Sequence, residues 1–248
     1  MPCDGSRCEW IDLPKDHPLR IEIDESEPSI YADAEAVGRA WDAIRNVNTR
    51  AFNGPILAFI AAHAELGRVR AARAQYKHLA VQPDVETGIV QLGVTGILEA
   101  RDADGTPHAL LGLRSHATRI FGGMWEFGPS GGVDPPPVGQ SIMDADDVWR
   151  VLIDEIREEV GLPVDPDPSP PVALLTDPVG RAVELIVRVR LRRPVEELQA
   201  MIESENRTSR WEYDAVRWVS FDELNAFVRR EPSIPTAVAI AGQISASS

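Results

Sequence analysis

Apolar and polar residues alternate through "PLRIEID", which predicts a short strand over residues 19–23. In "YADAEAVGRAWDAIRNVNTR" the positions Val37, Ala40, Trp41, Ile44 and Val47 recur at helical spacing, and Asp33 stands where a helix takes its N-cap. "FNGP" then breaks the chain at residues 53–55. The stretch "ILAFIAAHAELGRVRAARAQYKHLAV" reads two ways. Its alanines favour helix, whereas the central "ELG" suits a turn between two strands; the hairpin is the preferred reading.

From Ile89 the texture changes. "IVQLGVTGILEA" and "PHALLGLRS" are β-compatible apolar runs separated by the turn "RDADGT", a buried hairpin. "MWEFGPSGGVDPPPVG" reads as a Gly/Pro-rich loop, too irregular for a strand or a helix. "DADDVWRVLIDEIREEVG" is the strongest helix signal: Val148, Leu152, Ile156 and Val160 recur every four residues, Asp144, Asp146 and Asp147 favour its start, and Gly161 ends it. A Pro-rich connector follows, then strands in "PVALLTD" and "AVELIVRVRL", a helix over 195–202, a strand in "YDAVRWVS" and a helix over 221–230. The tail after Pro235 is apolar but short, and "SASS" is read as disordered. The mixed order of elements gives an α/β or α+β sandwich.

Charge narrows the function classes. Lys plus Arg number 25 against 39 Asp plus Glu, a formal net charge of −14, which argues against a sequence-independent grip on nucleic acid. A small phosphorylated substrate stays compatible, because metal ions supply positive charge. Cys3 and Cys8 are the only cysteines and read as free thiols in a reducing compartment. No apolar run approaches membrane-spanning length, and the N-terminal stretch has neither the basic start nor the apolar core of a signal peptide. The expectation is a cytoplasmic protein that engages no membrane.

The chemistry concentrates in "DEIREEVGL". Like charges three or four apart destabilise a helix, so so many carboxylates need a reason beyond a solvated face. Glu155, Glu158 and Glu159 are spaced to project to one side while the apolar stripe fixes the other, a set of oxygen ligands suited to Mg²⁺ or Mn²⁺. The preceding Gly-rich loop brings backbone carbonyls and amides toward the same turn.

These residues carry a resemblance to a family. "GGVD…GQ…DEIREEVGL" resembles the Nudix hydrolase signature, in which a glycine and a glutamate precede an Arg-Glu, aliphatic, Glu-Glu and Gly-aliphatic run. Glu155, Ile156, Glu158, Glu159, Gly161 and Leu162 fall where that pattern wants them, and "MWEFGPSGGVD" resembles the usual aromatic approach to Pro-Gly-Gly. Three departures stand beside the match. The interval from Gly132 to Glu155 is stretched by "DPPPVGQSIMDADD". The first glutamate has no clean equivalent, Gln140 and Asp146 being the candidates, and the arginine position holds Asp154, with Arg150 or Arg157 as replacements. "FNGPILAF" and "AQYKHLA" before the long interval are similar to a divergent Nudix branch that cleaves UDP-glucose and UDP-galactose, which also carries an N-terminal extension and a stretched signature.

The resemblance implies a Nudix-type α/β/α sandwich with a mixed sheet over residues 88–248, and an N-terminal α+β extension of strand, helix and hairpin over residues 1–87. It implies Mg²⁺- or Mn²⁺-dependent hydrolysis of a nucleoside diphosphate linked to X, a UDP-sugar first among them. Glu155 would be metal ligand or base, and Glu158 and Glu159 ligands joined by the carbonyl of Gly131 or Gly132. A general base can also come from a later strand or loop, with Glu184 and Glu212 as candidates. Arg114, His116 and Arg119 follow the second core strand and are candidates for the substrate's phosphates; surface charge is the alternative for each. Trp125 is a candidate to stack on a base, against a place in the core beside Phe127, and Tyr76 and Lys77, with His78, are substrate candidates against ordinary edge-strand residues. His17, His63 and His108 show no ligand spacing. The competing reading is a Nudix-fold protein that binds or senses a nucleotide without hydrolysing it. Nudix proteins are often homodimers, so a dimer is the form expected by resemblance.

Overall fold

The computed structural model describes residues 8–26, 28–82, 84–162, 166–204 and 212–246. Cys3 and the final two serines lie outside them. The chain opens with β1 (Trp10–Asp12) and β2 (Arg20–Asp24), then α1 (Ala34–Val47). Asp33 caps α1 by accepting the Ala36 N–H at 2.8 Å, and Val37 and Trp41 are buried. Val47 departs from the expected stripe: it is the last residue of the helix and 91% exposed, beyond the reach of the surface that covers Trp41.

The ambiguous alanine-rich stretch is the hairpin β3 (Pro55–His63) and β4 (Arg68–Gln75). Gly67, at φ 62°, makes the tight return that a side chain would strain. Next come α2 (Tyr76–Ala80) and the buried pair β5 (Gln91–Arg101) and β6 (Pro107–Arg114). The Gly/Pro-rich stretch, expected to be all loop, instead carries two three-residue strands, β7 (Trp125–Phe127) and β8 (Ser130–Gly132). β9 (Ile142–Asp144) leads into α3 (Ala145–Glu155), which continues as one wider π turn over Ile156–Val160. β10 (Ala173–Asp177), β11 (Ala182–Arg190), α4 (Val195–Ser204), β12 (Tyr213–Ser220), α5 (Leu224–Arg230) and α6 (Pro235–Ala246) complete the order. β1, α2, β9 and α6 are absent from the sequence reading, and Ser245 and Ala246, read as disordered, belong to α6; its buried Ala237, Ile240, Ala241 and Ile244 leave little polar contrast to mark a helix face.

The strands form one mixed sheet, β1-β10-β11-β5-β3-β4-β2-β9, with β6, β7, β8 and β12 branching from β5. β11 runs parallel to β5, and β2 parallel to β4. Helices cover both faces. Leu152, Ile156 and Val160 pack with Leu198 and Ile202 of α4 against Val94, Leu98, Leu185 and Val187. On the opposite face Phe227, Val228, Ile240 and Ile244 of α5 and α6 meet Ile97, Leu111, Leu175 and Ile186. The alternation of Leu185, Ile186 and Val187 between these layers is the period-2 rule at work in a strand buried on both sides. This is the mixed-sheet α/β/α architecture expected. Strands from residues before 88 take part in the same sheet, because β1 pairs with β10, β2 with β9, and Ala58 of β3 with Gln91 of β5.

Candidate functional site

Asp144 starts α3 with a capping box: its carboxylate accepts from Asp146 and Asp147, and Asp147 reaches back to the Asp144 N–H. At the other end the Gly161 N–H bonds to the Ile156 carbonyl at 3.0 Å, closing the π turn, and Gly161 leaves in the left-handed region at φ 69°. The three glutamates of this last stretch do not form one cradle. Glu159 is buried, Glu155 half-buried and Glu158 exposed. The wider turn explains the spread, since it breaks the i,i+4 alignment on which a shared face depends.

Glu155 lies directly on the Gly-Gly strand: a Cβ added at Gly131 would fall 1.9 Å from Glu155 Oε1. Only glycine permits that approach. β8 is held there by β5, with Gly132 opposite Gly93 and Gly131 opposite Val94. Glu159 accepts the Ser130 N–H at 3.2 Å and meets the Glu212 side chain, a carboxyl–carboxyl contact that needs a proton between the two. Burial, reinforced by Glu212 and Glu155, drives the Glu159 pKa well above the usual carboxylate range. Glu155 is pushed up to about 7, by burial first and then by Glu212, Glu158, Asp134 and Asp154. Glu212 therefore reaches both Glu155 and Glu159 from beyond the helix. Its backbone carbonyl takes the Ser115 N–H at 2.7 Å, tying it to the end of β6.

A cavity of about 270 Å³ opens beside this group, and Gly131, Gly132, Glu212, Arg114, Arg119 and Tyr76 are on its wall. Glu184 also borders it, but with Thr95, whose hydroxyl donates to Oε2 at 3.3 Å. Its strand parity sets Glu184 with Ile186, on the face away from α3, and its carboxylate covers Gly93. Burial and Asp177 push Glu184 up to about 8. Glu158 and Glu155 border a second, acidic groove of about 490 Å³ with Asp134, Asp147 and Asp154.

The remaining candidates divide. Arg114 is half-buried on the cavity wall, while Arg119 is exposed at the cavity mouth. His116 is exposed and folds over Gly123, where a Cβ would fall 2.5 Å from its Cε1. Trp125 corrects the stacking expectation: its ring meets Phe227 edge to face at 5.3 Å within the α5–α6 core. Tyr76 packs edge to face on Trp41 at 6.3 Å while bordering the cavity. Lys77 is fixed through its backbone, whose N–H donates to Asn53 Oδ1 at 2.9 Å. Neither replacement arginine reaches the glutamates by an ion pair: Arg157 pairs with Asp154 at 3.1 Å and Arg150 with Asp147 at 2.6 Å.

Two residues of the site went unread in the sequence. Glu126 is buried and accepts from both Arg114 (2.6 Å) and the Tyr213 hydroxyl (2.9 Å). The signal was present in "WEF", where a carboxylate between two aromatics in a strand points away from their core.

The donor set is all oxygen and crowded with negative charge, the chemistry of a hard divalent cation, and the raised Glu155 and Glu159 pKa values mark charge that such an ion would offset. Among the described residues, no three His, Cys, Asp or Glu side chains are already gathered in metal-holding geometry.

No protein-family model matches the chain, and no curated protein matches it in sequence. Several solved structures are similar to it. A Deinococcus radiodurans protein, DR0079, has 16% identity over 77% of this chain and 99% of its own, with a TM-score of 0.48. A Nudix hydrolase from Alicyclobacillus acidocaldarius has 16% identity over 63% of this chain and 91% of its own, with a TM-score of 0.44. The Nudix domain of NrtR from Shewanella oneidensis, solved with ADP-ribose, has 16% identity over 62% of this chain and 85% of its own, with a TM-score of 0.43.

Proposed function

We propose that the chain is a divalent-metal-dependent, Nudix-type pyrophosphohydrolase that cleaves a nucleoside diphosphate linked to X. A UDP-sugar, giving UMP and a sugar 1-phosphate, is the leading substrate. The observation that carries the reading is the meeting of Glu155, Glu159 and Glu212 at the Gly131–Gly132 strand, beside a cavity that also holds Arg114. Glu155, Glu159 and the Gly131 or Gly132 carbonyl would hold Mg²⁺ or Mn²⁺, with Glu158 joining from the neighbouring groove. When bound, the ion supplies an acidified water and neutralises phosphate charge. The protein's own part is orientation and proton handling. The close fit on Gly131 fixes Glu155, the Ser130 amide fixes Glu159, and Glu212 can take a proton at its carboxylate from a water in the cavity. Arg114 and Arg119, on the cavity wall, would meet the phosphates.

The second reading, a nucleotide-binding protein without hydrolysis, is favoured by the spread of the three helix glutamates and by the engagement of Asp154 with Arg157. Incubation with Mg²⁺ and a panel of UDP-sugars, ADP-ribose, dinucleotides and nucleoside triphosphates separates the two. Turnover is expected, and a fall of about 10²-fold or more in Glu155→Gln and in Glu159→Gln. Tight binding with no turnover of any panel member would establish the second reading instead.

A further inference from the structure

We propose that Glu126 and Tyr213 are positioning residues that hold the Arg114 guanidinium toward the cavity as a receptor for the diphosphate. The proposal rests on the nucleotide reading above and extends it to residues outside the acidic helix.

Arg114, Glu126 and Tyr213 come from three adjacent strands, β6, β7 and β12. In the registers, Arg114 stands opposite Tyr213 and Gly112 opposite Glu126. One oxygen of Glu126, Oε1, accepts both Arg114 Nη1 at 2.6 Å and Tyr213 Oη at 2.9 Å. The Tyr213 ring occupies a slot that two glycines leave open, since a Cβ at Gly112 or Gly128 would fall 2.4 or 2.1 Å from its atoms. A side chain at either position would evict the tyrosine, so the ring's place is built into the strands.

The pair is asymmetric. The Glu126 side chain is 4% exposed and that of Arg114 is 18%. Both side chains border the cavity that Gly131, Gly132 and Glu212 also line, with Glu126 almost wholly covered and Arg114 the more open of the two. Arg114 Nε donates to the Ile120 carbonyl at 3.3 Å, so Nε and Nη1 are both anchored. A guanidinium has five N–H donors in a rigid fork, and the unanchored edge suits the paired oxygens of a diphosphate. Sealing a carboxylate costs several kcal/mol in desolvation, and a buried ion pair is weak support for stability. Orientation accounts for the arrangement better. Without its anchor the fork would be free to turn toward Glu159 or Glu184, both close enough to feel its charge, and be lost to the ligand.

The test uses the full chain and two probes, inorganic pyrophosphate and UDP, titrated calorimetrically with Mg²⁺, alongside steady-state kinetics on whichever panel substrate turns over. Arg114→Lys and Glu126→Gln are each expected to weaken binding of both probes about tenfold, and Tyr213→Phe about threefold. The Arg114→Lys, Glu126→Gln double variant should bind no more than about twofold worse than Arg114→Lys alone, because the two act through one contact. KM should rise with kcat little changed. Tyr213→Phe keeps the ring in its slot, so it reads orientation even where Glu126→Gln unfolds. Unchanged affinity and KM in both Glu126→Gln and Tyr213→Phe, with hydrolysis intact, would overturn the positioning role and leave the enzyme reading standing. Binding that depends on the three residues in a protein without turnover would uphold the positioning role while removing the hydrolase. A wild-type chain that binds neither probe would remove both.

Discussion

Glu184 shows how burial, reinforced by Asp177, can turn an ordinary glutamate into a pH-sensitive element. In the fold it holds its proton to about 8, whereas the unperturbed group gives it up near 4.5. Between those values the folded state binds more protons than the unfolded one, so stability falls as pH rises through this window and levels off above it. Glu155, pushed up to about 7, adds a slope of the same sign. The metal-free protein should therefore melt at a lower temperature at pH 8 than at pH 5, and Glu184→Gln should flatten part of that slope in a calorimetric series. A variant slope identical to the wild type would remove Glu184 as a source. Gly131 is the complementary case, a residue whose value lies in having no side chain. Gly131→Ala would drive its methyl into Glu155 Oε1 and displace the carboxylate; misplacement by about 1 Å costs on the order of 10²-fold in rate. Initial rates, compared with a nearly unchanged melting temperature, check this.

At the level of elements, α3 carries its own start and stop. Asp144→Ala removes the cap shared by the Asp146 and Asp147 amides and should cost about 1 kcal/mol, lowering the melting temperature by roughly 2–4 °C. α3 was legible in the sequence because apolar residues at every fourth position, acidic residues at one end and glycine at the other all agree. The β3–β4 hairpin was legible for a narrower reason, one glycine against a run of alanines. β7 and β8 were not, since three residues are too few to show alternation. The helix glutamates were found by spacing, yet their division between buried and exposed was hidden, because nothing in "EIREEVG" announces a π turn. Glu126 escaped notice because its partners, Arg114 and Tyr213, are remote in sequence and meet only across strands.

The whole molecule is one sheet to which residues before 88 contribute core as well as edge. Leu19, Ile21, Ile23, Leu57, Val69 and Ala71 are buried in the same layer as Leu152 and Ile156. Truncation of residues 1–87 would uncover that layer, open one edge of β10 and leave β9 without its partner β2, so the remainder is expected to lose its cooperative thermal transition by near-ultraviolet circular dichroism. A sharp transition in the truncated chain would show that residues 88–248 fold alone. The charge of −14 acts at this scale too, repelling polyanions at a distance, so under the proposed function the capture of a nucleotide would fall to metal ions and the arginines at the cavity.

The pairing of β1 with β10 bears on how the chain comes into being. The Glu9 amide bonds to Thr176 across 167 positions of sequence, so β1 leaves the ribosome long before the partner it pairs with is made. During that interval its edge is open to other chains. Contacts so distant in sequence slow folding and prolong exposure of unpaired strand edges. Expression at low temperature, where hydrophobic association between open chains is weaker, should then favour recovery of the native protein.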